Sequence, residues 1–472
     1  MERQSVRLAQ LNRCALRAFF GVASLAFATA ASPPLARTIV LQHFTLIDGT
    51  GAPPASDQSL IIVDGRISWV GPSKKLKVPT GATPQNLRGK FVMPGIIDSH
   101  VHLGLVDGID QNFPKYYNRQ NVERQLRLYA AYGVTSVYTL GTDGDEIHDV
   151  IADQHRNGPG DEARVYTAGR GVVFKGSYGG VVGLEQSVAT PAEAAEMVAR
   201  EASKGDDFIK LWMDDEFGSL SERMPYSISA SVIDAAHKAG KKTAAHIFYY
   251  DNAAELTREG VDAFMHQVRD RRADPTLAQS MKARGTWQLA STLSREASFT
   301  YQLLPFVDDP FFYRGVAPET IAALKAPERQ KRLATAPNFP KYPEALRNAM
   351  ANLATEARNG VSYGMGTDSG PSARFPGYFA HWELELMVQA GLTPLQAITA
   401  ATGTNAKFLP ANEAGTIVKG KWADLLVLDR NPLADIRNTR MINTVFVAGR
   451  KVSTIWQTCV GRPAGACSGP AK

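Results

Sequence analysis

His100 and His102 stand one residue apart in the apolar stretch IDSHVHLG (97–104), directly after Met93-Pro94-Gly95. On a strand, residues i and i+2 share a face, so the two imidazoles project together and can grip one metal ion. Either ring alone reads equally well as a hydrogen-bonded core histidine. Other strand ends shift that balance: His246 closes TAAH, His266 closes AFMH and Asp368 closes GMGTD. Four histidines and a carboxylate gathered in an apolar setting are hard to satisfy without a cation, because buried polar groups need partners. Lys210, in DFIKLW, is the odd member. An ammonium in an apolar strand carries a large desolvation cost and repels a metal. Carboxylation by CO2 would turn it into an anionic bridge; the alternative is an unmodified lysine paired with Asp214 or Asp215.

These residues need a scaffold that turns strand ends toward one point. The middle of the chain alternates strand-like runs (GIIDSHVHL, VTSVYTLG, ARVYTAG, FIKLWM, TAAHIF, AFMHQV, WQLAST, SYGMGTD) with helix-like stretches such as PAEAAEMVAREASKG and DNAAELTREG. Eight strand–helix units predict an α/β fold of the (β/α)8 TIM-barrel type over residues 93–411, with its active site at the C-terminal ends of the strands. Residues 31–92 and 412–457 read instead as short strands with tight turns, and Asp64-Gly65 suits a two-residue hairpin. They predict one small β-sandwich domain assembled from both chain ends. Residues 293–341, rich in Pro, Phe and Tyr with a helix around 317–333, are too long for a simple connection and read as a lid, a substrate wall or an insertion away from the chemistry. The Gly-rich GRGVVFKGSYGG lacks the Lys-Ser/Thr of a phosphate loop.

At the N-terminus, Arg3, Arg7, Arg13 and Arg17 precede the apolar run 18–27 and the small residues Ala28-Thr29-Ala30. That pattern predicts a signal peptide over 1–30 and export to the periplasm or medium, since the run falls short of the roughly 20 residues that span a bilayer. Without it the formal charge falls from +6 to +3. So modest a surplus, without a basic block, argues against a nucleic-acid partner. Cys459 and Cys467 share the tail 458–472 and would pair most simply in an oxidising compartment. A small-molecule substrate is expected, with no membrane span in the mature chain, and assembly into a homo-oligomer stays open.

The order of IIDSHVHLG, FIKLW, AAHI, MHQV and GTD, with the Met-Pro-Gly lead-in and the late LTPLQAITAATGTNAKFL, resembles the amidohydrolase superfamily of metal-dependent hydrolases. The likeness covers residues 38–452 and is strongest to the branch similar to imidazolonepropionase and the Xaa-Pro dipeptidases. It implies that His100, His102 and Asp368 hold one metal, that His246 and His266 hold a second and that carboxylated Lys210 bridges them. Single-metal members lack such a lysine, so the metal count turns on Lys210. Imidazole and carboxylate donors without thiolate suit zinc, with manganese, cobalt, nickel or iron as alternatives.

The chemistry expected is attack of metal-activated hydroxide on a polarised carbonyl, with Asp368 accepting a proton and passing it to the departing nitrogen. The substrate would be a small peptide, an N-acyl amino acid or a cyclic amide. Arg170 and Tyr178, then Tyr138 and Tyr249, fall where barrel loops contact ligands, as does Arg269, and Arg170 could fork onto a substrate carboxylate. Dipeptidase-like relatives often carry a histidine in the loop after strand three, where this chain has KGSYGG, so simple dipeptide specificity does not follow. His381 is the one remaining histidine near the expected site. An ester, lactone or phosphoester hydrolase on the same centre, and a barrel that binds metal without catalysis, are the competing readings.

Overall fold

The computed structural model describes residues 37–177, 187–409 and 413–452. The expected signal peptide, Tyr178 and the tail cysteines Cys459 and Cys467 lie outside the described residues.

Two parallel sheets form the centre. In one, β1 (Ile96–Val101), β2 (Val134–Thr139) and β3 (Arg164–Thr167) lie in the order β3-β2-β1; in the other, β4 (Phe208–Trp212), β5 (Lys242–His246), β6 (Ala263–Phe264) and β7 (Trp287–Gln288) follow sequence order. Every residue of β1, β2 and β4 is buried, which is why these strands read as nearly continuous apolar runs. Helices fill the connections, and their ends are written locally. Thr190 accepts a hydrogen bond from the Glu193 N–H (3.2 Å), Pro191 opens helix Pro191–Lys204, and Gly205 stops it at φ +100°.

Parallel bridges join the sheet edges: Val172 to Leu211, Gln288 to Tyr363 and Val101 to Ser369. Residues 361–369, expected to hold an eighth strand, lie between β7 and β1. Gly364 N–H donates to Gln288 O (2.9 Å), Ser99 N–H to Met365 O (3.0 Å) and Asp368 N–H to His100 O (2.7 Å). Instead of one continuous eight-stranded ladder, the described residues show two sheets and a bridged segment. Asn405 occupies one of these junctions, between β1 and the bridged segment. Its Oδ1 accepts the Met365 N–H, and its Nδ2 faces the carbonyls of Ile97 (2.7 Å) and Met365 (2.6 Å), taking up bonds that a regular strand would exchange with its neighbours. A side chain at Gly364 would come within 2.0 Å of Asn405 Oδ1.

Both chain ends meet in a single eight-stranded sheet, and the separate layers of the expected sandwich are not resolved by its ladders. Strand Leu425–Leu428 pairs antiparallel with Phe91–Pro94, which in turn lies beside Thr38–Leu46. His43, at φ +65°, interrupts the register between Leu41 and Phe44, and beyond it the strand takes Phe91–Pro94 as a further partner. Asp64 (φ +48°) and Gly65 (φ +82°) form the expected tight hairpin. Gly95 links this sheet to β1 with no room for a side chain: a Cβ there would sit 2.1 Å from Thr135 Oγ1.

Helices Leu293–Phe299, Pro310–Tyr313, Pro318–Lys325 and Pro327–Ala334 occupy the long insertion, and Pro327 divides the single helix expected over 317–333. Its middle is structural, since Phe306, Phe311 and Phe312 are buried against Tyr378 and the Tyr132 hydroxyl donates to the carbonyls of Phe311 (3.2 Å) and Phe312 (3.0 Å). Helix Tyr342–Asn359 then packs against helices Pro275–Arg284 and Leu293–Phe299 with Glu356 buried, where burial pushes the carboxyl up to about 8 while Gln267 Nε2 donates to it at 2.9 Å. A folded value above the unfolded 4.5 means that stability present at low pH is lost as pH rises toward 8. Glu356→Gln should therefore flatten the pH dependence of stability. Urea unfolding at about pH 5 and about pH 8.5 checks this, and a variant as pH-sensitive as the parent contradicts it.

Candidate metal centre

The residues singled out by spacing converge at the C-terminal ends of the parallel strands. His100 lies in β1, His102 just beyond it, His246 ends β5 and His266 follows β6. Ring centroids are 5.3 Å apart for His100 and His102, 4.8 Å for His100 and His266, and 4.0 Å for His246 and His266. Asp368 Oδ1 lies 3.0 Å from His102 Nε2 and 3.6 Å from His100 Nε2. Ligand atoms of His100, His266 and Asp368 all fall within 4.8 Å of one another. Lys210 is fully buried in β4, in register with Ala244 of β5. Asp368 holds a left-handed φ of +56°, a conformation Asp tolerates better than most residues but one that stores strain at the site.

Second partners aim the rings. The Nδ1 of His100 faces the Met265 carbonyl at 3.0 Å; a carbonyl only accepts, so Nδ1 carries the proton and Nε2 presents its lone pair to the cluster. His102 Nδ1 meets Thr142 Oγ1 (2.7 Å) and His266 Nδ1 meets Thr292 Oγ1 (3.0 Å). His246 Nε2 pairs with Asp214 Oδ2 at 3.1 Å.

Burial sets the charge states. It lowers all four imidazoles, His246 to about 4, so they are neutral near pH 7 and can donate lone pairs. Burial pushes Asp368 upward, but opposing charge, the Arg374 guanidinium foremost, outweighs it and holds the carboxylate well below its usual range. Lys210 is lowered to about 7 by burial, against the pull of Asp368 and Asp214. Its Nζ and the Nε2 of His266 are buried without a hydrogen-bond partner. Neutral imidazoles, an ionised carboxylate and two orphaned nitrogens in one spot fit a divalent cation bound by nitrogen and oxygen.

Several residues that spacing did not reveal complete the surroundings. Arg374 Nη1 and Arg295 Nε (2.8 Å) both reach Asp368 Oδ2, and Arg295 and Arg269 share buried Glu296. Glu383 accepts from the Ser291 hydroxyl (2.6 Å) and from the N–H groups of Leu293 (2.8 Å) and Ser294 (2.6 Å), fixing the start of the helix that carries Arg295. Asp214, considered from sequence as a partner for Lys210, pairs with His246 instead.

The expected substrate contacts change more. Tyr138 lies within β2, fully buried against Tyr166 and Phe208, with its hydroxyl donating to Asn405 O (2.9 Å); it belongs to the core, not to a loop at the mouth. Tyr249 donates to Asp215 Oδ1 (2.7 Å) beneath the Arg223 guanidinium, so its hydroxyl is engaged. Arg170 keeps its place after β3: its backbone bridges Thr142 and its backbone N–H donates to Glu201 (3.3 Å), while its side-chain Nε is buried without a hydrogen-bond partner. Arg269 is held by Glu296 and the Ile247 carbonyl (2.5 Å). His381 spans Tyr132 O (2.7 Å) and Thr439 Oγ1 (3.0 Å), a structural role.

Parallel strands wrapped by helices, with imidazoles and a carboxylate at their C-terminal ends, define the class of α/β protein in which a cation sits at strand ends. Residues 91–452 match the amidohydrolase family, and the chain belongs to it. An uncharacterised protein of Mycobacterium tuberculosis is 28% identical over 225 residues, 47% of this chain and 54% of its own length, so the chain spans about half of that relative. An ochratoxinase of Aspergillus niger is 25% identical over 90% of this chain and 87% of its own. Among solved structures, a Xaa-Pro dipeptidase with methionine bound in its active site matches with a TM-score of 0.70 at 21% identity, over 88% of this chain and 99% of that one, a likeness of fold.

Because Thr292 orients His266 from a left-handed N-cap position (φ +49°), Thr292→Val should free the ring to rotate while keeping the shape of the residue. Metal affinity should fall by about 10- to 100-fold in chelator competition. Unchanged affinity would show that the hydroxyl does not position the ligand.

Proposed function

We propose that this protein is a metal-dependent hydrolase of carbon–nitrogen bonds, acting on a small peptide-like, N-acyl amino acid or cyclic amide substrate. The observation that carries the reading is the convergence of His100, His102, His246, His266 and Asp368 at the ends of the parallel strands, with the buried Lys210 Nζ, which makes no hydrogen bond, among the charges that act on them. His100, His102 and Asp368 would hold one ion, His246 and His266 a second, with zinc favoured by the donor set. A bound divalent ion supplies Lewis acidity and a water that ionises near neutral pH.

The chain's own groups supply the rest. Asp368, held ionised by Arg374, is available to take a proton from water and return it to the leaving nitrogen. A Lys210 lowered to about 7 spends much of its time as the free amine, the form that reacts with CO2, and this supports the bridging carbamate. The two parallel sheets and residues 361–369 would together make up one (β/α)8 barrel, as the bridges at the sheet edges suggest. Export rests on the arginine-rich, then apolar, start of the chain; among the described residues no helix is long and apolar enough to cross a membrane.

Elemental analysis of the parent and of Lys210→Ala tests the centre: two ions per chain, falling to one or fewer in the variant, are expected. One ion in both would leave a single-metal site without a bridge. Asp368→Asn should lower kcat for amide hydrolysis by about 100-fold or more with a much smaller change in KM. Turnover near the parent's would remove the proton-shuttle role.

A further inference from the structure

We infer that the protein carries a ligand site apart from the metal centre, a cavity between the N-terminal ends of β3 and β4 and the small sheet, and that this site takes an organic polyanion with two or more carboxylate or phosphate groups.

The metal ligands occupy the C-terminal ends of the strands, and this cavity lies at the other end. Arg164 and Tyr166 belong to the start of β3, Asp207 leads into β4, and Trp422 and the turn Ala448-Gly449 come from the small sheet. Its volume of about 860 Å³ lies within the roughly 300–1,000 Å³ of small-molecule sites. Strand periodicity makes the floor. Arg164 and Tyr166, two residues apart, share a face that stays half-buried, while Val165 and Thr167 are buried on the other.

The groups left without partners around this space are donors. Tyr166 is held edge-on by Tyr138 (5.4 Å), and its hydroxyl makes no hydrogen bond among the described residues. Burial raises that phenol above its usual range, which keeps the hydroxyl protonated. Trp422 stacks with both Arg66 (3.8 Å) and Arg164 (4.4 Å), which fixes the Arg164 guanidinium. Of its three nitrogens only Nε is hydrogen-bonded, to Asp424 Oδ2 at 2.8 Å, and Nη2 is buried without a partner. Asp424 also accepts the Ala448 N–H (2.5 Å), so one carboxylate ties the floor to the turn that precedes Arg450. Arg450 and Arg37 line the same cavity. Both are exposed, and neither side chain has a hydrogen bond or an ion pair among the described residues.

The acids facing this space are already engaged. Glu413 pairs with Arg66 (2.6 Å), Asp207 accepts the Thr167 N–H (2.8 Å), and Asp64 accepts the Arg37 N–H (3.1 Å). Lys204 lies between Asp145 (3.0 Å) and Glu201 (3.4 Å), and His148 faces Asp206 (3.4 Å), so those charges answer one another. What remains is three guanidiniums, from three separate segments, and a phenol. A single acid group saturates one planar fork, so three forks select a ligand with several. The carbonyl end of helix Glu146–Asn157, stopped by Gly158 at φ +74°, also borders the cavity and disfavours an anion. Hydroxyl or N–H groups of the ligand would be accepted there.

Three benzenes of one shape test the charge preference by calorimetric titration of the full chain: benzene-1,3,5-tricarboxylate, benzene-1,3,5-trimethanol and 1,3,5-tris(aminomethyl)benzene. Carboxylates placed meta to one another cannot chelate one ion, so the metal centre is not stripped. The tricarboxylate should bind at least about tenfold more tightly than the other two, and less tightly as ionic strength rises. Arg37→Met and Arg450→Met should each weaken it by about 3- to 10-fold, and together by about tenfold or more, with Tm unchanged. Tyr166→Phe should weaken it by about 2- to 10-fold. Fructose 1,6-bisphosphate reads phosphate against carboxylate, and binding of either anion that is lost in the double arginine variant supports the site. Tighter binding of the triamine would mean that carbonyls and acids set the charge of the cavity, and anion binding untouched by the arginine variants would place the anion elsewhere; either overturns the inference. So does a full chain that binds neither anion, as it would if another part of the chain filled the space.

Discussion

Withdrawing four imidazoles, a carboxylate and a lysine from water at one end of parallel strands is the constraint around which the rest of this molecule is arranged. A buried charge costs far more than a buried neutral group, and a buried nitrogen without a partner costs as much as a lost hydrogen bond. The protein meets the first cost by keeping the imidazoles neutral and by setting two guanidiniums against Asp368. Among the described residues it offers Lys210 Nζ and the Nε2 of His266 no hydrogen-bond partner, and a cation with its bridging ligand is the group that would complete them.

Supports for those side chains are drawn from distant parts of the chain, which makes the site sensitive to the fold as a whole. Asp98, two residues before His100 on the same strand, accepts from the Thr367 N–H (3.0 Å) and hydroxyl (2.6 Å), tying the strand that carries His100 to the residue next to Asp368. Asn405 locks the same pair of segments from below. Helix Leu293–Phe299, fixed by Glu383, joins Thr292, which aims His266, to Arg295 and Phe299 at the mouth. The insertion therefore works as a strut whose ends touch the chemistry.

Much of this could be read from the chain because strand geometry is periodic. His100 and His102 share a face through their spacing alone, and His246, His266 and Asp368 each stand where an apolar run gives way to a loop. Where the reading failed, the missing information was three-dimensional. The residues around Tyr138 do not mark where its strand ends, and because Val134–Thr139 runs one position past it, the side chain belongs to the core and not to a loop. Arg374 and Arg295 carry no local pattern that separates them from surface arginines, and their role appears only once the fold sets both beside Asp368. Asn405 sits in a short helix with nothing to announce that it replaces ladder bonds between β1 and the 361–369 segment. The small sheet was legible as a union of both termini, whereas its single continuous ladder depends on a register change at His43.

The central claim is that these six side chains surround cations. An anomalous-difference map from crystals of the full chain grown with zinc tests it most directly. The account predicts peaks about 2 Å from the His100, His102, His246 and His266 nitrogens and from Asp368, with extra density extending from Lys210 Nζ toward them. A map with no peak among these residues under metal-replete conditions, or with zinc bound elsewhere on the chain, would contradict it.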